Sequence, residues 1–235
     1  MSKRQHPYEI NLRFKRKANS EWNSKVWQEE IAAKAYQQKM AKDKLHQRCL
    51  SCDPNADSEA QIRVFEKILY DNQIDIQQFK TAVKNVLTYK HPKRNTLLLD
   101  GLPNAGKTFF ANLIREGYCY GIIFPSRLSS DFEFEALVDT SLYCFDEPFL
   151  TPDNVNQYKL IWGGERCFVN YKYEHKQLLE RAPCIVTANK WDTYLSAIDK
   201  TAIKSRTYHF TFTVAQEQLP EQHYCSQVFK QWLTE

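Results

Sequence analysis

This sequence predicts an α/β fold with a mostly parallel central sheet, and three observations carry the prediction. The stretch LLLDGLPNAGKTFFANLI (Leu97–Ile114) runs from an apolar segment through Gly, Pro and Gly-Lys-Thr into a helix-like pattern. Strand-like runs recur downstream at Gly121–Phe124, Ser141–Phe145, Pro183–Ala188 and Arg206–Thr213, with helical or loop stretches between them. Finally, 235 residues with 43% hydrophobic content suffice for one ordinary α/β domain plus a small appendage. Parallel neighbours need a crossover connection, so alternation of this kind is the pattern of a parallel sheet flanked by helices.

In chain order the elements fall into four parts. Residues 1–52 are expected to form a basic helical arm. Within it, 20–48 has helix-forming composition, with Trp22, Val26, Trp27, Ile31 and Tyr36 set among Lys, Glu, Gln and Ala, as one amphipathic helix or two. CLSCDPNADS (Cys49–Ser58) is a turn-rich break. Two helices are expected within 53–92. Ala60–Tyr70 places Ile62, Phe65, Ile68 and Leu69 on one face, and Asp75–Tyr89 places Ile76, Phe79, Val83, Val86 and Leu87 on another. The sheet core follows over 93–215, and a helix closes the chain over 216–235.

The net charge of +4 is unevenly placed. Residues 1–48 hold 12 Lys/Arg against 5 Asp/Glu, and the remainder holds 20 against 23. A basic arm on a near-neutral domain points to an anionic partner, nucleic acid first. RFKRK (Arg13–Lys17) reads either as a nuclear-import patch or as solvated surface charge. No apolar run approaches the roughly 20 residues of a bilayer span, and MSKRQHPYEI lacks an apolar signal core, so neither a membrane partner nor secretion is expected. Seven scattered cysteines read as reduced, mostly buried thiols. His46, Cys49 and Cys52 resemble half a zinc site, but no second C-x-x-C or H-x-H pair completes it.

Leu97–Ile114 fits G-x-x-x-x-G-K-[ST], the phosphate-cradling loop of nucleoside triphosphatases. Gly101 and Gly106 allow the sharp turns that aim successive amides at phosphates, with Pro103, Asn104 and Ala105 between them. A helix opening at Gly106–Lys107 adds its positive end. Lys107 is expected on the β- and γ-phosphates of ATP, and Thr108 on Mg²⁺ through its hydroxyl. The bland reading is an ordinary Gly-containing strand–helix turn. The strand before the loop and the apolar helix after it argue for the phosphate site.

About 40 residues on, SLYCFDEP (Ser141–Pro148) carries an acidic pair to the end of a strand, the edge where open α/β sheets bind ligands. Asp146 is expected to hold Mg²⁺, directly or through water, and Glu147 to orient and deprotonate the attacking water. APCIVTANK ends a further strand in Asn189, an amide for the γ-phosphate or the water, or else a turn residue. KSRTYHFTF puts Arg206 at the mouth of the last strand, where an arginine can reach the γ-phosphate of a neighbouring subunit. Gly163–Gly164 followed by alternating Cys167, Phe168, Val169, Tyr171 and Tyr173 suggests a β-hairpin. Lys172 and Tyr173 at its tip can grip phosphate and stack on a base, or simply form an exposed loop.

From about Glu59 through Arg206 and the strand after it, the chain resembles the superfamily 3 helicase domain of parvovirus replication initiator (large nonstructural) proteins. KRNTLLLDGLPNAGKT, FEFEALVDTSLYCFDE, IWGGERCFVNYKYEHK, PCIVTANK and SRTYHFTF carry the resemblance and run in the family's order. It implies an AAA+-like P-loop ATPase whose two helices before the loop form a small oligomerisation subdomain. It implies a homo-oligomeric, hexameric ring that hydrolyses ATP between subunits and moves 3′-to-5′ on single-stranded DNA, opening forked duplex in viral DNA replication. The expected location is the host nucleus. Lys107, Thr108, Asp146, Glu147 and Asn189 fall on the family's nucleotide-site positions, Arg206 on its arginine finger and Lys172 on its DNA-touching hairpin lysine, with Tyr173 beside it.

The chain also departs from the family. Full initiators carry a nickase with a His-hydrophobic-His pair, and none of the six histidines here forms H-x-H. Tyr36 and Lys39 give a Y-x-x-K that is nearly uninformative, so no origin nicking is expected of this chain alone. Two other classes compete. A small P-loop kinase would need an arginine-rich acceptor lid, which is not seen. A nucleotide-binding oligomerising regulator, or a truncated initiator without unwinding activity, would bind nucleotide without turnover.

Overall fold

The computed structural model describes residues 57–116, 118–124, 132–172, 175–216 and 224–235. The helix or helices expected over 20–48, the basic patch Arg13–Lys17, Tyr36 and Lys39, the His46/Cys49/Cys52 cluster and Tyr173 lie outside the described residues.

The two expected helices are bounded by their caps. In α1 (Ser58–Asp71) the Asp57 carboxylate accepts from the Ala60 amide, and in α2 (Ile76–Leu87) Asp75 accepts from Gln78. Each thereby satisfies one of the donors that a helix start leaves open. Phe65, Ile68 and Leu69 of α1 are buried, as are Phe79, Val83 and Val86 of α2, at the helical spacing that the sequence shows.

Then follow β1 (Thr96–Gly101), α3 (Lys107–Arg115), β2 (Tyr120–Ile123), a 3₁₀ turn (Glu135–Leu137), β3 (Leu142–Asp146) and α4 (Val155–Gly163). A small hairpin, β4 (Cys167–Val169) and β5 (Gln177–Leu179), leads into β6 (Cys184–Ala188), α5 (Ala197–Lys204), β7 (Thr207–Phe212) and α6 (Ser226–Thr234). The five-stranded sheet has the order β2-β3-β6-β1-β7, and every pairing in it is parallel. The expected strands reappear within one or two residues of their anticipated ends.

Helices cover both faces of this sheet. Central strands buried on both sides read as continuous apolar runs rather than alternations, and Leu97, Leu98 and Leu99 of β1 are all fully buried. Leu97 and Leu99 pack into a core shared with Phe65, Phe79, Phe110 and Trp232, so α1, α2, α3 and α6 lie on one face. Leu98 packs on the other face with Phe145, Tyr158, Trp162 and Val186.

Two buried asparagines join what the chain separates. At the starts of the strands, Asn95 donates its side chain to Ala182 O, accepts from the Cys184 amide and bonds its own N–H to Arg206 O. At the other edge, Asn72 closes α1 and accepts from the amides of Thr213 and Val214 (2.7 and 2.8 Å), which holds the segment after β7 against the helical layer.

Cys144, Cys167 and Cys184 are buried free thiols, and burial pushes the first and last of these up to about 12. Cys119 is free and exposed. Cys225 is disulfide-bonded and departs from the expected set of reduced thiols. Among the described residues no helix is long and apolar enough to cross a membrane.

Candidate active site

The loop after β1 leaves the sheet by passing very close to β7. Gly101 has φ +121°, and a Cβ there would lie 2.0 Å from Phe212 O. The next amide, Leu102 N, donates to that same oxygen at 2.7 Å. Only glycine permits this approach. Asn104, at φ +58°, turns the loop tip, and Gly106, at φ +97°, starts α3 without a side-chain cap. The first-turn amides of α3 have no intrahelical partners, so they form an anion site at the positive end of the helix. Pro103 is exposed at the tip, while Ala105 is buried beneath it.

Lys107 opens α3 and is 5% exposed. Its ammonium donates to Gly101 O (2.9 Å), Leu102 O (2.5 Å) and Asn189 Oδ1 (3.0 Å). Burial draws its pKa below the ordinary lysine value, while the charges of Glu147, Asp100 and Asp146 oppose that shift. A phosphate arriving at the loop would replace the carbonyls as partner for this cation.

The acidic pair stands at the end of β3. Asp146 is in register with Thr187 of β6, whose hydroxyl donates to its Oδ1 at 2.6 Å. Glu147 has φ +49°, a left-handed conformation that non-glycine residues rarely adopt and that clusters at functional sites. Its amide is held by Thr187 O at 2.8 Å, and both carboxylate oxygens lie 2.9 Å from the Asn189 amide. Asn189 therefore links Lys107 to Glu147, which joins α3, β6 and β3 at one edge of the sheet.

Thr108 is exposed, and no described residue bonds its hydroxyl. That hydroxyl and the Asp146 oxygen left over by Thr187 are the hard oxygen donors that suit Mg²⁺, so the residues present fit the ion. Among the described residues no cluster of three or more His, Cys, Asp or Glu could hold a metal alone, which leaves phosphate and water to complete the shell.

Arg206 is not part of this group. Thr96 pairs with Thr207 and Gly101 with Phe212, so Arg206 sits just before β7 at the opposite end of the sheet. One strand length of six residues separates it from the loop, about 20 Å. It donates to Ala202 O (2.8 Å), lies 4.0 Å from Glu165, and leaves its buried Nε without a hydrogen-bond partner.

With this geometry in view, comparison with known proteins decides the family. The family described as Parvovirus non-structural protein NS1 matches residues 20–235. The chain belongs to that family. Initiator protein NS1 of Aedes densonucleosis virus (strain GKV 002 002) is 28% identical over 137 residues, 57% of this chain and 16% of that protein. Protein Rep52 of Adeno-associated virus 2 (isolate Srivastava/1982) is 32% identical over 124 residues, 52% of this chain and 31% of Rep52. The matches thus span less than a third of either relative. A crystal structure of JCV helicase with a bound acetamide compound covers 92% of this chain and 67% of its own, at 18% identity and a TM-score of 0.44, a level that adds nothing to the fold described above.

The second region that the NS1-family resemblance singles out is the hairpin, and it forms as an antiparallel pair, with Cys167 opposite Leu179 and Val169 opposite Gln177. Cys167 and Val169 face inward, whereas Phe168 is 65% exposed. Lys172 lies exposed in the turn beyond β4.

Beside the loop is a group that the sequence reading missed. The Asp100 carboxylate accepts from Trp191 Nε1 at 3.1 Å, and His209 Nε2 approaches its other oxygen to 2.9 Å. That second oxygen has no well-aligned hydrogen bond, so the His209 ring makes a close polar contact with it. Burial alone would raise the Asp100 pKa, but the polar contact of His209, with Thr211 and Trp191, holds it below the ordinary aspartate value. No local pattern announces this cluster, because it needs β1, β7 and the segment after β6 together.

A folded-state carboxyl held low contributes stability above the unfolded value near 3.9. That contribution is lost as pH falls through the lower, folded value. Asp100→Asn is expected to be less stable by roughly 1–3 kcal/mol at neutral pH and to show a shallower loss of stability below about pH 4. Urea unfolding from pH 6 downward checks this; parallel acid limbs in the two proteins would remove Asp100 from the account.

Proposed function

We propose that this chain is the ATPase core of an initiator-type DNA helicase. It acts as a homo-oligomeric, hexameric ring on single-stranded DNA and forked duplex, in viral DNA replication in the host nucleus. The strongest support is the meeting of Lys107, Asn189, Glu147 and Asp146 at one sheet edge, around a loop built to receive phosphates.

ATP binds with its phosphates on the loop amides and Lys107. Thr108 and Asp146 would hold magnesium, which would supply neutralisation of the phosphate charge. Asn189 keeps Lys107 and Glu147 in register. Glu147 orients the attacking water and accepts its proton at a carboxylate oxygen. Arg206, a strand length from its own loop, serves the site of the adjacent copy and stabilises charge on the transferring phosphoryl group. Lys172 on the hairpin grips the DNA backbone and couples the cycle to movement.

The test is ATP hydrolysis by the purified chain with and without single-stranded DNA, beside Lys172→Ala. Wild type is expected to be stimulated by DNA. The variant keeps its basal rate, loses most of the stimulation, about tenfold, and fails to open a forked duplex. Unchanged stimulation in Lys172→Ala would remove the hairpin's role. Nucleotide binding without turnover, at concentrations where rings form, would replace the motor with a nucleotide-binding regulator.

A further inference from the structure

On the nucleotide-binding reading, phosphates would account for one end of the loop cavity only. The cavity, about 330 Å³, is lined by Asn104 to Phe109 together with Gln216, a residue 107 positions from the nearer end of that run. Lys107 is turned toward Asn189 and the acidic pair, so the phosphate-facing chemistry is on that side. Among the described residues the lining contains Phe109 and Gln216 and no second charged side chain. Phe109 is half-buried and held edge-on against Tyr224, ring centroids 4.8 Å apart.

Gln216 is held in place by its backbone. Its segment is fixed at Thr213 and Val214 by Asn72, and the Gln216 amide donates to Asn104 O at 2.9 Å, across the loop tip. Its side chain makes only a 3.5 Å contact to Val214 O, at the limit of a hydrogen bond. The main chain is therefore anchored, while the carboxamide at the cavity wall is lightly committed. A carboxamide offers a donor and an acceptor side by side, matching the paired groups on a purine edge. An aromatic ring offers the base a flat apolar surface.

We propose that Gln216 and Phe109 form the base-binding half of this site, with Gln216 reading the hydrogen-bonding edge of a purine. This rests on the nucleotide-binding reading above and adds its specificity. It assigns recognition to a segment that follows the last strand of the sheet. Asn72, which anchors that segment, acts as a positioning residue.

The test compares binding of ATP and inorganic tripolyphosphate, each with magnesium, by the full chain and by Gln216→Ala. Alanine retains the backbone N–H to Asn104, so the loop tip stays tied. The expected result is about a tenfold loss of ATP affinity, the effect of one amide–base pair, with tripolyphosphate affinity unchanged. Equal weakening of both ligands would mean that Gln216 acts through the loop, and no change in either would remove it from the site. Both results overturn the proposal. If wild type binds tripolyphosphate as tightly as ATP, the base half fails and the phosphate half stands. If wild type binds neither, the nucleotide-binding reading itself fails.

Discussion

Lys107→Ala is expected to lower ATP turnover by at least about a hundredfold, the scale seen when a preorganised donor to developing charge is removed. Among the described residues the ammonium is the only cationic side chain lining the loop cavity, and it is buried against Gly101 O, Leu102 O and Asn189. Loss of fold does not explain that result. Burial already disfavours the charged form of Lys107, so its removal relieves a desolvation penalty while it strands carbonyls that lie close to solvent. The thermal midpoint should therefore move little. Turnover and melting measured on one preparation separate the two explanations, and wild-type turnover in the variant would refute the assignment of this loop.

Arg206→Ala should cost on the order of a thousandfold in turnover, the range for an arginine that meets transition-state charge. Its distinguishing property is recovery by mixing. Arg206 and Lys107 lie at opposite ends of the β1–β7 pair, so one copy cannot supply both to one phosphate. When Lys107→Ala and Arg206→Ala chains are co-assembled in equal amounts, roughly a quarter of the interfaces should pair an intact lysine with an intact arginine. Activity should return from near zero to that fraction. A mixture that remains inactive while still forming mixed oligomers would exclude a shared site.

Much of this arrangement was legible in the sequence, and the legible parts have a common cause. β1, β3 and β6 are buried on both faces, so their apolar runs show without reference to partners. The loop needs Gly101 and Gly106 for reasons of local backbone geometry, and Asp146, Glu147 and Asn189 follow directly from strand ends. What remained hidden depends on register between distant segments. Thr187 meets Asp146 across 41 residues, Asn72 meets Thr213 across 141, and Asp100 meets Trp191 across 91. Arg206 shows the difference within one residue. Its place at the start of a strand was readable, whereas its distance from the loop required knowing that β7 lies beside β1 and parallel to it.

The opposed placement of Lys107 and Arg206 has a consequence for gene dosage. On the proposed reading every working interface draws on two copies, one for each half. A copy that lacks only one half spoils a single interface, so output in a mixed population declines in proportion to the wild-type fraction. A copy that lacks both halves spoils the interface on either side of it. Output then follows the square of that fraction, so doubly defective chains lower it further than singly defective ones at every mixing ratio.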